Sequence, residues 1–190
     1  MSIVGKLESL EDRRRLLRLA RETSARELGV ATGQVEERPH IEGTFGGAFA
    51  TFWAGKTLRG CIGRFGPTDD IARTIEEITK SSLADPRFVS NPITDAELPA
   101  LNIEISILSD LEPTTDPLSL IPGTHGIVIR RGERSGCFLP QVASDRGWSA
   151  EEFLSNCCSM KAGLPPDAWR EPDAEVLLFT ADVFAESDFA

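Results

Sequence analysis

The chain has 190 residues, room for one ordinary domain or two small subdomains sharing a core. Apolar residues make up 41% and charged residues 26%, the balance of a globular protein. Thirty acidic against 20 basic side chains leave a net charge of −10, which opposes a nucleic-acid backbone or an anionic membrane surface as partner.

In chain order, Ser9 with Asp12 three residues on caps a first helix. Its Leu16, Leu19, Ala20, Thr23 and Leu28 fall at helical spacing, Gly29 ends it, and its Arg-rich side reads as a solvated face. Val30 to Gly43 reads as a loop. Ala48–Trp53 and Thr57–Ile62 form a hairpin across Ala54-Gly55-Lys56. Ile71, Ile75 and Ile78 then mark an amphipathic helix ending near Ser82.

A loop, Asp85-Pro86-Arg87-Phe88, and a turn capped by Thr94 lead to a strand, Leu101–Leu108. In that strand Leu101, Ile103, Ile105 and Ile107 face one way and Asn102, Glu104 and Ser106 the other. Gly126–Arg130 and Gly136–Leu139 suit a second hairpin, after a turn-rich stretch from Pro113 to Pro122. Ser149 and Glu152 form a capping box that opens a helix closed by Gly163 and Pro165-Pro166. Glu175–Phe184 reads as one final strand. Hairpins in place of regular β-α-β crossovers argue for an α+β fold with a central, mainly antiparallel sheet and flanking helices.

No apolar run reaches the ~20 residues needed to span a bilayer. Met1–Leu10 carries no signal-peptide pattern, and the simplest reading is a cytoplasmic, reduced protein. Cys61, Cys137, Cys157 and Cys158 form no C-x-x-C, and His40 and His125 are too few for a usual zinc site. No metal or cofactor is expected. Phosphate-loop and G-x-S-x-G motifs are absent.

Leu58-Arg59-Gly60-Cys61-Ile62-Gly63 is the most informative run. Strand alternation sets Arg59 beside Cys61, where a guanidinium would lower the thiol pKa, and the glycines let a ligand or another backbone approach the sulfur. A small buried cysteine beside a bulge is the competing reading. Glu104 is either a solvent-facing carboxylate or an acid/base group lining a cleft. His125, at a strand mouth, is either a proton carrier or a turn histidine. Asp85 and Arg87 pin their loop by pairing, or Arg87 grips an anionic substrate. Cys137, Cys157 and Cys158 read as packing residues, and Trp148 and Trp169 as anchors of the last helix.

Leu58–Gly63 resembles the signature of the AMMECR-one domain family, also called AmmeMemoRadiSam system protein A. The stretch Gly47–Phe52, Asp85–Phe88, Asn102–Leu108, His125-Gly126, Leu139–Ala143 with Trp148, and Lys161–Leu164 with Trp169 are similar to the family's landmarks in the same order. The resemblance runs from about residue 8 to about residue 185.

It implies one AMMECR-one domain over residues 1–190 with two subdomains and a cleft between them. The larger is expected over roughly 8–63 plus 110–185 and the smaller over roughly 64–109. Near the cleft it implies Cys61, His125 and Glu104 as catalytic residues and Arg59, Arg87 and Asp85 as substrate-binding residues. The family name implies Memo-like and radical SAM proteins as company. Together these point to a thiol-dependent enzyme acting through Cys61 on a small electrophilic or carbonyl-bearing molecule or a peptide. The alternative is a non-catalytic binding partner of those proteins.

Overall fold

The computed structural model describes residue 7 and residues 9–30 and 37–189. Most of Met1–Leu10 and the middle of the Val30–Gly43 loop lie outside the described residues. The chain forms two compact units, one running to Leu108 and resuming at Asp182, the other Ser109–Ala181.

In the first unit, α1 (Leu10–Glu27) starts where Ser9 accepts a hydrogen bond from the Asp12 N–H at 3.3 Å. The hairpin β1 (Phe45–Ala54) and β2 (Thr57–Thr68) precedes α2 (Ile71–Leu83), and β3 (Asn102–Leu108) follows. Pairing of β1 with both β2 and β3 is antiparallel. Ala48, Ala50, Phe52, Ile103, Ile105 and Ile107 are buried with Leu16, Ile71 and Ile75 of the helices, as the helix and strand periodicities require. Ser82 Oγ locks α2 to the hairpin, donating to Ala50 O and accepting from the Ile62 N–H, both at 2.9 Å.

In the second unit, β4 (Glu112–Pro113), β5 (Gly126–Arg131), β6 (Arg134–Phe138) and β7 (Glu175–Phe179) form a sheet in the order β4-β7-β5-β6. Its core takes in α3 (Pro140–Arg146) and α4 (Ala150–Cys157). Ser149 and Glu152 make the expected capping box. Phe138 stacks on Phe153 at 5.6 Å, Trp148 and Trp169 join the core, and Cys157 and Cys158 are fully buried packing residues.

The fold is α+β and antiparallel in every pairing described above, with its strands divided between two four-stranded sheets. Three details differ from the sequence reading. The final apolar run is two strands, β7 and β8 (Ala181–Ala185), and β8 lies beside β3 in the order β2-β1-β3-β8. The break falls at Thr180, whose N–H donates to Ser109 Oγ at 2.9 Å and whose carbonyl accepts from the Ser109 N–H at 3.0 Å. The short α3 was not expected. Residues 64–109 do not separate from 8–63, because α2 packs on β1 and β2 through its Ile-rich face. Among the described residues, no helix is long and apolar enough to cross a membrane.

Candidate functional site

Cys61 lies on β2, and its Cα partner across the hairpin is Thr51. Thr51 is in turn the partner of Glu104 on β3. Cys61, Thr51 and Glu104 therefore form one row across three neighbouring strands, on one face of the sheet. Thr51 is buried and its hydroxyl donates to Cys61 Sγ at 3.2 Å.

A β-bulge sets this register. Phe52 pairs with Gly60 but Trp53 pairs with Leu58, so Arg59 is the extra residue of β2. Simple alternation does not carry across a bulge, and Arg59 is not the charge that acts on the thiol. Arg59 is 8% exposed, and its guanidinium is bound to Glu97 through Nε at 2.5 Å and an Nη at 3.0 Å. The same nitrogen donates to the carbonyl of Asn91 at 3.1 Å. Arg59 thus straps the loop after α2, and it holds the Glu97 carboxyl below its ordinary range.

Asp85 and Arg87 act on the Cys61 backbone. Asp85 Oδ2 accepts from the Cys61 N–H at 3.0 Å, and Arg87 donates to the Cys61 carbonyl at 2.9 Å. Arg87 also forks onto Asp85 at 3.0 and 2.6 Å. The pair occupies both backbone groups of Cys61 on the edge strand of its sheet, where a further strand would otherwise bond. Burial pushes the Asp85 carboxyl up, but Arg87 and the two backbone N–H groups outweigh it and hold it at about 2.

The half-buried Cys61 thiol is pushed up, in contrast to the lowering expected from a neighbouring Arg59. Burial is the largest cause; the Thr51 hydrogen bond and the Arg87 charge pull down, and the Glu104 and Asp85 charges push up. At rest the group is a protonated thiol that needs a base to become a nucleophile. Glu104 is the carboxylate in the same row.

Gly60 and Gly63 serve close packing. A Cβ on Gly60 would sit 2.2 Å from the Ser82 carbonyl oxygen, and one on Gly63 would meet the Phe49 ring at 2.3 Å. Both were open to a ligand-access reading; at Gly60 the approaching group is another backbone.

Of the six residues singled out from sequence, five lie in the first unit. There Cys61, Asp85 and Arg87 are joined by hydrogen bonds, Glu104 shares the Cys61 row, and Arg59 turns to Glu97. His125 belongs to the second unit, where its Nδ1 accepts from the Ile121 N–H at 3.0 Å, the bond of a turn histidine. Thr51 and Glu97 were missed. For Thr51 the available signal was a hydroxyl on an otherwise aromatic strand face, Phe49-x-Thr51-x-Trp53. Among the described residues, no group of three His, Cys, Asp or Glu could hold a metal ion.

Comparison with known proteins adds the following. The family model described as AMMECR1 matches residues 17–184. Protein MK0488 of Methanopyrus kandleri is 37% identical over 197 aligned residues, covering 97% of this chain and 93% of that one. A protein of Methanothermobacter thermautotrophicus is 42% identical, covering 74% of this chain and 75% of its own. The crystal structure of PH0010 from Pyrococcus horikoshii superposes with a TM-score of 0.78 at 34% identity, over 90% of this chain and 89% of that one.

Proposed function

Because the chain belongs to the AMMECR1 family, we propose that it is a thiol-dependent enzyme of the cytoplasm, acting through Cys61 on a small electrophilic or carbonyl-bearing substrate. The row Cys61–Thr51–Glu104, with Thr51 bonded to the sulfur, carries this reading. The Glu104 carboxylate, in the same row, takes the thiol proton, while the Thr51 hydroxyl donates to the sulfur and steadies the thiolate. The sulfur electron pair forms the C–S bond at the carbonyl carbon, and the C=O π pair moves onto oxygen. That oxygen takes the proton back, closing a hemithioacetal with atoms and charge in balance. Asp85 and Arg87 position the Cys61 backbone, and the Arg87 charge favours thiolate. Memo-like and radical SAM proteins are the proposed companions, on the strength of the family resemblance. Four free thiols suit a reducing compartment.

Iodoacetamide labelling of the folded protein, mapped by peptide mass across pH 6–10, tests the reading. Cys61 should react with a rate that climbs to a plateau above the ordinary thiol range of about 8.5. Glu104→Gln should shift that profile to lower pH, since the carboxylate raises the thiol, while slowing addition to an aldehyde. A Cys61 that reacts only in denaturant would sink the proposal.

A second reading, a non-catalytic binding partner, is favoured by the upward direction of the Cys61 shift. It requires Cys61→Ser to keep full activity of the assembled system.

A further inference from the structure

Arg87 holds two N–H groups that its clamp on Cys61 leaves unused. Its Nε donates to Asp85 Oδ1 at 3.0 Å, and one Nη donates both to Asp85 Oδ2 at 2.6 Å and to the Cys61 carbonyl at 2.9 Å. Three of the five guanidinium donors are thereby spent. The other Nη has no acceptor among the described residues, and the side chain is 49% exposed. Asp85, by contrast, is sealed, its side chain 1% exposed. The buried carboxylate takes one edge of the planar guanidinium and fixes its plane, and the free Nη is the corner opposite that edge.

The clamp also fixes where these donors stand. Cys61 is half-buried on the edge strand β2, and Arg87 lies beyond that edge, on the Cys61 carbonyl. Bond lengths within the residue and across the guanidinium put the free Nη about 5–9 Å from Sγ. The Arg87 charge is accordingly one of those that act on the thiol. Glu104 lies the other way, two strands inward, roughly 10 Å from Cys61 at Cα. A molecule bonded to the sulfur therefore has the carboxylate base on its inner side and a cation on its outer side.

We infer that the free Nη of Arg87 binds a carboxylate of the substrate, and that this substrate is a 2-oxo acid, a carbonyl open to Cys61 with a carboxylate bonded directly to it. The inference rests on the reading of Cys61 as nucleophile and adds the substrate class. A carboxylate one bond from the carbon joined to sulfur, with one hydrogen bond of about 2.8 Å, reaches about 6–7 Å, inside the span from Sγ to the free Nη. The addition is otherwise unchanged. The C–S bond forms, the C=O π pair moves onto oxygen, that oxygen ends with the thiol proton, and the carboxylate keeps its charge against Arg87. One free corner with Asp85 behind it suits a single negative charge. A phosphate dianion calls for a second cation, and Arg59 is committed to Glu97.

Iodoacetate and iodoacetamide test this. They share one electrophilic carbon, and it carries either a carboxylate or a neutral amide. The ratio of their alkylation rates at Cys61, divided by the same ratio for 2-mercaptoethanol, cancels the thiolate fraction. In the wild type it should favour iodoacetate about tenfold, the low end for a charge-assisted hydrogen bond. In Arg87→Gln the preference should vanish, while the half-exposed Cys137 of the second unit keeps one ratio in both proteins. A second measurement needs no variant, and with the wild-type ratio it decides the matter if Arg87→Gln does not fold. Sodium oxamate, a 2-oxo acid analogue inert to thiols, should slow iodoacetamide labelling of wild-type Cys61, and sodium chloride at equal ionic strength should not. No preference in the wild type, an equal preference in Arg87→Gln, or no protection by oxamate overturns the proposal.

If neither reagent labels native Cys61, the thiol reading fails by itself. The carboxylate site is then decided by melting. A rise in melting temperature with oxamate over sodium chloride, lost in Arg87→Gln, supports it. Equal melting in the two salts, or a rise that the variant retains, refutes it.

Discussion

The hydroxyl of Thr51 donates to the sulfur of Cys61 at 3.2 Å, from the central strand that also pairs with Glu104. A donor aimed at sulfur favours thiolate, and here it works against burial and the charges of Glu104 and Asp85, with Arg87 on its side. Thr51→Val should therefore push the thiol up further and slow alkylation at pH 7.5 by about fivefold, one hydrogen bond's worth. Thr51→Ser keeps the donor and should stay within about twofold of wild type. The pH–rate profile is the measurement; a valine variant with an unmoved profile would show that the bond has no hold on the sulfur.

Asp85 gives the fold an acid-sensitive fastening. Its carboxyl is held at about 2, against an ordinary value near 3.9 in an unfolded chain. A depressed carboxylate stabilises the fold above the unfolded value, and that stability drains away as the pH falls from about 4 through about 2. The expected size is about 2 kcal/mol for this nearly buried group. Asp85→Asn should lose that amount at pH 7 and show a flatter stability curve between about pH 4 and 2. Urea unfolding at several pH values checks both; parallel curves for variant and wild type would refute the assignment.

Arg59 and Glu97 make a similar prediction for the loop after α2. Removing the nearly buried Arg59 as Arg59→Ala strands Glu97 and frees the carbonyls of Asn91 and Pro92. A loss of about 2–4 kcal/mol is expected. Glu97→Gln keeps the acceptor and should cost about 1 kcal/mol. Limited proteolysis supplies the local readout. The site to watch is the exposed Val89, where cutting should accelerate in Arg59→Ala. Unchanged cutting would mean that the loop does not depend on this strap.

What the sequence disclosed was what neighbours in the chain decide. Ser9 and Ser149 cap their helices because a hydroxyl and an N–H three residues on meet within one turn. Ile71, Ile75 and Ile78 are buried because a helix brings them to one side. The hairpin was equally legible, but its register was not. Counting back from Ala54 opposite Thr57, an unbroken ladder would place Thr51 opposite Gly60; one extra residue at Arg59 moves it opposite Cys61. The strand glycines hinted at a bulge but could not place the extra residue at Arg59, so the Arg59–Cys61 pairing drawn from simple alternation failed and the Thr51 contact went unseen. The split of the last apolar run is hidden for the same reason. Thr180 turns the chain through bonds to Ser109, 71 residues away. Glu97 on Arg59 and Asp85 on Cys61 are likewise long-range partners, 38 and 24 residues apart.

Gly60 offers the sharpest check on how the site is built. Its missing side chain makes room for the Ser82 carbonyl, 2.2 Å from the position a Cβ would take. That oxygen belongs to the last turn of α2, which Ser82 Oγ ties to Ala50 and Ile62, so it cannot retreat without breaking those bonds. Gly60→Ala should cost about 2–4 kcal/mol, as overpacking against backbone does. Gly55, in the hairpin turn, is the control. It has open space around it, but its φ of +58° strains any side chain, and Gly55→Ala should cost only about 1 kcal/mol. Thermal and urea unfolding of the two variants rank them. If Gly60→Ala proves as mild as Gly55→Ala, α2 does not press on the Cys61 strand, and the position of the thiol has to be explained by Asp85 and Arg87 alone.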